Sequence, residues 1–426
     1  MLLVLRNSWA LLLGIMLLMV GNGLQGTLLG VRGEIEGFST FEMSVVMSGY
    51  FAGFLIGSRM GSEMIRRVGH IRTFAALGSV ISAVLILYPV LTDPIAWTVL
   101  RLIIGACFAA VYVTAESWLN NAATNETRGQ TLSVYLVVQM VGIVAAQMLL
   151  NLGDPSDYFL FVVLSVLVSL SFAPILLSVT PTPAFETAKP MSLMEVLKIS
   201  PLGVIGTFLM GGVYSAMFGM AAVFATQAGL PIAQLSIFVS AFYVGGLVLQ
   251  FPIGWISDRM DRRLLIMILA AICGAAGLLG ALSSGIFSIL VISAFFIGGM
   301  ANPLYALLIA YVNDFLEVEQ MPAAGGRLLF VNGVGAIFGP IVVGGMMQAI
   351  GPLGYFYFIG GLVTVLALYA AYRMTVRPAP TVEDTGSYAP VLPSASPVVV
   401  GLAQEVFADA ASDDGDDAQG TLPPAA

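Results

Sequence analysis

The sequence predicts an all-α membrane protein, with twelve transmembrane helices in two six-helix pseudo-repeats. Three observations carry the prediction. Of 426 residues, 58% are hydrophobic and only 9% are charged, whereas a soluble domain holds about a quarter of its residues as charge. With a mean hydropathy of +0.96, the chain has too little charge to cover a water-facing surface, so a bilayer must be its solvent. The apolar residues also come in runs of about 20, the length at which a helix crosses a bilayer. The runs are continuous rather than alternating, which excludes barrel strands. Finally, a long polar loop divides them six and six.

Taken in order, the first run continues from Trp9 past Gly26 to Val31. A secretory signal has an apolar core of about 7–15 residues, so span one (8–31) reads as an uncleaved helix. Spans two to six follow at 43–65, 71–92, 95–119, 130–152 and 157–178. The central loop, 179–201, holds Pro181, Pro183 and Pro190 and then a polar-amphipathic stretch over 192–198. Spans seven to twelve follow at 202–226, 234–257, 264–283, 286–312, 327–350 and 353–374. Only Ser283-Ser284-Gly285 separates the ninth from the tenth. The expected organisation is an N-terminal six-helix half (1–178), a central loop (179–201), a C-terminal six-helix half (202–377) and a tail (378–426).

The tail differs in composition. Eight of the chain's 24 acids lie beyond Pro378 and no Lys or Arg does, so the net charge of −8 belongs to the tail and the membrane part is neutral. A segment of Pro, Ala, Ser and acid buries too little apolar surface to offset its ordering entropy, which predicts disorder. Within it, the apolar patch 397–402 is the one candidate for docking.

Basic residues keep to the cytoplasmic side of a membrane. With both termini placed there, the inner segments hold Arg6, Arg59, Arg66, Arg67, Arg72, Arg128, Lys189, Lys198, Arg259, Arg262, Arg263, Arg327, Arg373 and Arg377. Arg32 alone falls outside, beside the acids Glu34, Glu36, Glu42, Asp93, Asp154 and Asp157. The asymmetry predicts cytoplasmic termini.

Several chemistries are excluded by count. His70 is the only histidine, and Cys107 and Cys273 are the only cysteines, each inside an apolar run. Histidine-built metal clusters, Ser-His-Asp triads and a disulfide framework are therefore not available.

The stretch Gly254-Trp-Ile-Ser-Asp258-Arg259-Met-Asp261-Arg262-Arg263 resembles the signature loop of the major facilitator superfamily, G-x-x-x-D-R-x-G-R-R, with Asp261 where the family has glycine. A weaker echo, Ser62-Glu-Met-Ile-Arg66-Arg67-Val-Gly69-His70, follows span two. There Arg66 takes the usual Asp position and Glu63 is the nearest acid. Arg101-Leu-Ile-Ile-Gly105 looks like the superfamily's R-x-x-x-G motif. Gly335-Ala-Ile-Phe-Gly339-Pro340 with Gly344-Gly345 resembles its Gly-Pro motif, one residue longer and in span eleven rather than five. Ala115-Glu116-Ser117-Trp118-Leu119-Asn120 followed by Asn125-Glu-Thr-Arg128-Gly129 looks like a YcaD-like subgroup of bacterial transporters.

Individual residues then divide by environment. An ionisable group at a membrane centre costs at least about 2.5–3.5 kcal/mol unless paired or hydrated. Arg101 and Glu116 are the two in question; fifteen residues apart on one helix, about 22 Å at 1.5 Å per residue, they cannot pair. Arg101 is the candidate for solute binding or coupling, with a structural bond to carbonyls as the alternative. Glu116 at the inner end of span four is expected to pair with Arg66, Arg67 or Arg128, and Asp314 with Arg259 or Arg327, in a gate that includes Asp258. Polar candidates for a central cavity are Asn22, Gln25, Tyr50, Tyr112, Gln139, Tyr214, Tyr243, Asn302, Tyr305 and Asn332; each is otherwise helix–helix glue, worth roughly 0.6 kcal/mol.

The resemblance implies a secondary active transporter of a small solute by alternating access, coupled to protons, and not an enzyme. The alternatives are a channel, a scramblase or a transporter-like sensor without turnover. It further implies a monomer in the bacterial inner membrane, with solute, protons and lipid as partners, no nucleic acid, and neither cofactor nor metal. No acid cluster lines the expected cavity, which leaves neutral, anionic or weakly amphipathic solutes.

Overall fold

The computed structural model describes residues 2–122, 127–176, 191–283, 286–317, 320–376, 388–392, 396, 398–401, 403 and 404. The helices are α1 (Leu2–Ile35), α2 (Thr40–Val68), α3 (His70–Leu87), α4 (Pro94–Ala122), α5 (Arg128–Leu149), α6 (Phe159–Leu176), α7 (Leu193–Ile199), α8 (Pro201–Ser215), α9 (Ala221–Gln227), α10 (Ile232–Ser257), α11 (Arg262–Ala281), α12 (Phe287–Asn313), α13 (Met321–Ile350) and α14 (Gly354–Val376). Among the described residues, eleven spans are long and apolar enough to cross a membrane, with α8 and α9 joined as one through a five-residue π turn (Ala216–Met220). The sixth expected span is α6, whose apolar stretch Phe159–Pro174 is shorter. Over its 18 residues, at 1.5 Å per residue, it reaches about 27 Å. There is no strand among the described residues, as a lipid solvent demands when backbone groups must be satisfied within each segment.

Local chemistry sets the helix ends. Ser39 and Glu42 form a reciprocal capping box, with Glu42 N–H on Ser39 Oγ at 3.2 Å and Ser39 N–H on Glu42 Oε2 at 2.8 Å. This starts α2 three residues before the apolar run alone would. Gly69, at φ 81 and ψ 167, is the sole link between α2 and α3. That conformation is open to glycine and strained for any other residue.

Helices in lipid gain little from hiding apolar surface from one another, so they associate by close packing, which small residues permit. Here the closest packing is glycine against backbone carbonyl, repeated in both halves. A Cβ on Gly53 of α2 would lie 1.9 Å from Leu102 O of α4, and one on Gly105 of α4 would lie 2.0 Å from Tyr50 O. In the second half, Gly245 of α10 meets Phe295 O of α12 at 2.0 Å, and Gly298 of α12 meets Phe242 O at 2.0 Å. The same exchange thus joins spans two and four and spans eight and ten. The Gly-Pro motif serves α13 likewise: Gly335 faces Phe208 O of α8 at 2.1 Å.

The halves meet directly on the face that carries the α1–α2 turn. There Gln227 donates to Thr40 Oγ1, Asn151 donates to Ser236 Oγ at 3.2 Å, and Gly30 faces Ala222. Deeper, Ser48 donates to Ile337 O at 2.6 Å. On the opposite face, described residues of the tail stand between the halves. The expectation of a disordered tail therefore does not hold for residues 388–392, 396, 398–401, 403 and 404: Val391, Leu392, Val399, Val400 and Ala403 are buried. The acids that dominate its composition conceal short apolar stretches able to pack. Of the patch 397–402, residues 397 and 402 lie outside the described residues.

The glycine–carbonyl contacts generate a stability prediction. Gly53→Ala should lower thermal stability in detergent by about 1–3 kcal/mol through overpacking. Gly345→Ala, which meets nothing within 4 Å, should change it by less than about 0.5 kcal/mol. Reaction of a thiol dye with buried Cys107 and Cys273 reports the unfolding. Equal melting of the two variants would show that α2 and α4 can separate freely.

Candidate functional site

A cavity of about 170 Å³ lies between the two halves, with α1, α2, α4, α5, α8, the π turn, α10, α12 and α13 all supplying its wall. Eight of the ten polar candidates line it: Asn22, Gln25, Tyr50, Tyr112, Tyr214, Tyr243, Asn302 and Asn332. Gln139 and Tyr305 do not. Tyr305 is fully buried behind Tyr214, ring centroids 6.1 Å apart, and Gln139 is buried on α5.

On the N-terminal side the polar groups form one network around Asn22. Its Nδ2 donates to Tyr112 OH at 2.7 Å, and its Oδ1 accepts from Tyr50 OH at 3.2 Å and Gln25 Nε2 at 2.9 Å. Gln25 Oε1 is left without a partner. On the C-terminal side Tyr214 OH donates to Ala301 O at 3.0 Å, Asn302 donates to Gly298 O at 2.8 Å, and Asn332 donates to Thr207 O at 3.2 Å. Tyr214 and Asn332 thereby brace helix against helix, whereas Asn302 bonds back within α12 and meets α8 through Tyr214 OH, 3.3 Å from its Oδ1; all three also face the cavity.

Arg101 lines the same cavity and is 3% exposed. Its guanidinium carbon lies 4.8 Å from the centre of the Tyr50 ring, Nη2 approaches Met47 Sδ at 3.1 Å, and Nε is buried with no partner. Among the described residues no carboxylate lies within ion-pair distance of it. The glycine contacts equate Leu102 with Phe295 across the repeat, which puts Ala294 opposite Arg101. The charge is confined to one half.

The sequence reading missed the aromatic wall. Phe51, Phe54 and Phe218 line the cavity, and Tyr214, Phe218 and Tyr243 stack in a ladder at 5.5 and 4.8 Å. The signal was present in the i, i+4 pairs Tyr50/Phe54 and Tyr214/Phe218, which share a helix face. Apolar rings in an apolar span attract no notice when only polar residues are sought.

The gate residues pair differently from expectation. Arg66 and Arg67 are 70% and 75% exposed and bind Glu63, so Glu116 does not take them as partners. Glu116 is 1% exposed and accepts instead from Tyr135 OH at 2.5 Å and from Ser396 N–H at 3.0 Å. The side chain of Arg128 lies outside the described residues. Asp314 pairs with Arg262, both side chains buried, where Arg259 or Arg327 was expected. Arg259 lies over the Trp255 ring at 4.2 Å, and Arg327 donates to Met191 O. Asp258 lies 3.8 Å from Arg262 and accepts from Tyr388 N–H at 2.7 Å. Burial lifts its carboxyl above the ordinary range, opposed by the Tyr388 N–H and by Arg262 and Arg259. Asp261, in the place of the family's glycine, caps α11 by accepting from Arg263 N–H at 2.9 Å. In the first-half echo, His70 begins α3 as Arg262 begins α11, and reaches Ser117 of α4 at 3.0 Å.

A family model described as the Major Facilitator Superfamily matches residues 11–238 and 203–409. The uncharacterised MFS-type transporter YcaD of Escherichia fergusonii is 24% identical over 345 residues, 80% of this chain and 89% of that protein. An uncharacterised MFS-type transporter of Enterobacter sp. (strain 638) is 23% identical over 379 residues, 88% of this chain and 98% of that one. Among solved structures, a mutant of the nucleoside transporter NupG superposes with a TM-score of 0.75 at 15% identity, covering 86% of this chain and 99% of its own. The human organic anion transporter MFSD10 gives 0.61 at 13% identity, covering 86% and 99%. The Escherichia coli fucose:proton symporter FucP gives 0.55 at 15% identity, covering 86% and 98%. Because the family match runs through both halves and the central loop between them, the chain belongs to the Major Facilitator Superfamily, as a multi-pass membrane protein similar to the YcaD transporters.

Proposed function

We propose that this transporter carries a small organic anion with a flat apolar body, by alternating access, with the proton gradient as its energy source. The observation that supports the solute class is Arg101, a buried cation in the cavity wall with no carboxylate partner among the described residues. A charge in that position needs a counter-charge or hydration, and a solute carboxylate supplies the first. The aromatic ladder opposite favours a planar partner, since rings prefer stacked or edge contacts worth about 0.5–1.5 kcal/mol each beyond area burial. Neighbours differ in what their names state, a nucleoside, organic anions and fucose with a proton, so the solute is argued from the site alone.

Alternating access accounts for direct contact between the halves on one face and a different arrangement on the other. Rocking of two repeats about a midplane site is the general form of such transport. The chain is placed in the bacterial inner membrane with both termini cytoplasmic, which leaves the directly sealed face outside. The segregation of Arg residues supports this orientation.

Two predictions follow from this reading. A cysteine at Asp154 or Glu34, in a Cys107→Ala/Cys273→Ala background, should react with an impermeant maleimide in intact cells, and one at Lys198 only after lysis. The reverse pattern would overturn the orientation. A thermal-shift screen of purified protein should find aromatic monocarboxylates among the ligands that raise the melting temperature, because binding to the folded state stabilises it. Arg101→Ala should weaken such a ligand roughly ten- to hundredfold, the scale of one hydrogen-bonded charge at about 1.5–3 kcal/mol, while the unliganded protein melts close to wild type. Equal shifts by neutral solutes in both proteins would exclude the anion. Once a ligand is known, loss of gradient-driven uptake with retained exchange would move Arg101 from binding to coupling.

A further inference from the structure

On the face opposite the direct seal, described residues of the C-terminal segment reach the cavity, where Leu392 lines the wall. Tyr388 donates its N–H to Asp258 and its hydroxyl accepts from Gln250 Nε2 at 3.2 Å, which fastens it to the C-terminal half. Ser396 donates its N–H to Glu116 Oε2 in the N-terminal half. Gln404 returns to the C-terminal half, its Nε2 donating to Asn313 Oδ1 at 3.1 Å and Met321 O at 2.8 Å. Described residues of this one segment therefore bond to both halves. Between these bonds Leu392 packs with Leu136 and Met140 of α5 and is itself part of the cavity wall.

The receiving surface is shaped for this occupant. A Cβ on Gly254 would stand 2.5 Å from the Tyr388 ring, and one on Gly325 would stand 2.7 Å from Val400 and 3.0 Å from Gln404. Glu116, a carboxylate that finds no base among Arg66 and Arg67, accepts from the Ser396 backbone instead.

We propose that the described residues between 388 and 404 (388–392, 396, 398–401, 403 and 404) form an internal plug. Docked, the segment closes the cavity towards the side of the termini and holds the halves in the arrangement sealed on the α1–α2 face. A solute can pass only after the segment leaves. The surface formed by Glu116, Leu136, Met140, Asp258, Asn313 and Gly325 is thus an autoinhibitory docking site whose partner is the chain's own C-terminal segment.

The test needs no solute and no assigned orientation, so it stands or falls apart from the proposed function. Met140→Cys, in a Cys107→Ala/Cys273→Ala background, is buried beneath Leu392 and is labelled with a water-soluble maleimide in detergent-purified protein. Full-length protein should react slowly, and protein ending at residue 386 at least tenfold faster. A synthetic peptide of residues 387–405 should restore slow labelling of the truncated protein. Two full-length variants should reproduce the fast rate should the truncation fail to fold: Ser396→Pro, which removes the N–H that Glu116 accepts, and Gly325→Val, which fills the seat of Val400. Unchanged labelling in Ser396→Pro and Gly325→Val, at melting temperatures equal to the parent, would overturn the plug. A disulfide between Glu116→Cys and Ser396→Cys should keep the rate slow until reduced; fast labelling in the cross-linked protein would overturn it equally.

Discussion

Everything in this bundle depends on the approach of two helix backbones to near contact. In lipid the apolar side chains gain nothing from facing one another rather than acyl tails, so cohesion must come from packing and from bonds across helices. Glycines at 53 and 105, and again at 245 and 298, let a carbonyl of one helix sit where a side chain of the other would be. These contacts fix α2 on α4 and α10 on α12 as rigid pairs, one in each half. The cavity is the space that such pairs leave when they are set facing one another, and its polar residues are held by the same close fit.

On this repeated frame the chemistry is unequal. Arg101 has Ala294 opposite, and among the described residues the four-membered network around Asn22 is answered in the second half by a single side-chain pair, Tyr214 with Asn302, while Tyr214, Asn302 and Asn332 otherwise bond to backbone. The signature loop is unequal in the other direction. In the second half Asp258, Arg262 and Asp314 form a partly buried cluster, whereas in the first Glu63 holds two exposed arginines. Exposed pairs of that kind contribute at most about 1 kcal/mol. The side-chain network at the cavity is thus weighted to one half and the buried ion pairs to the other.

Fold and orientation of the polar faces were legible in the sequence because a bilayer punishes error on both. Helices must be apolar and long, and polar side chains must point inward, so Asn22, Tyr112 and Asn302 could be read as inward-facing. What inward means was not legible. Tyr305 points inward too, but into Tyr214, and hydropathy does not separate a lining residue from one behind it. Ion-pair partners were beyond reach for a related reason: whether Asp314 meets Arg262 or Arg259 depends on a rotation of α11 that no spacing encodes. The described residues between 388 and 404 departed from the expected disorder because the eight acids of the tail outweighed, in composition, the few aliphatic residues that pack. Composition averages over a segment, whereas docking needs only a few residues.

The π turn in the seventh span has a mechanical consequence. Such a turn carries one residue more than the α-helix it interrupts, and a residue in an α-helix corresponds to about 100° of rotation, from 3.6 per turn. Phe218 lies inside the turn and Gln227 lies at the end of α9 beyond it. A change of this turn to ordinary α geometry would twist α9 like a crankshaft, swinging Gln227 off Thr40 while withdrawing Phe218 from the Tyr243 ring. Aromatic contact at the centre and the far seal are therefore geared to one another through a single backbone register.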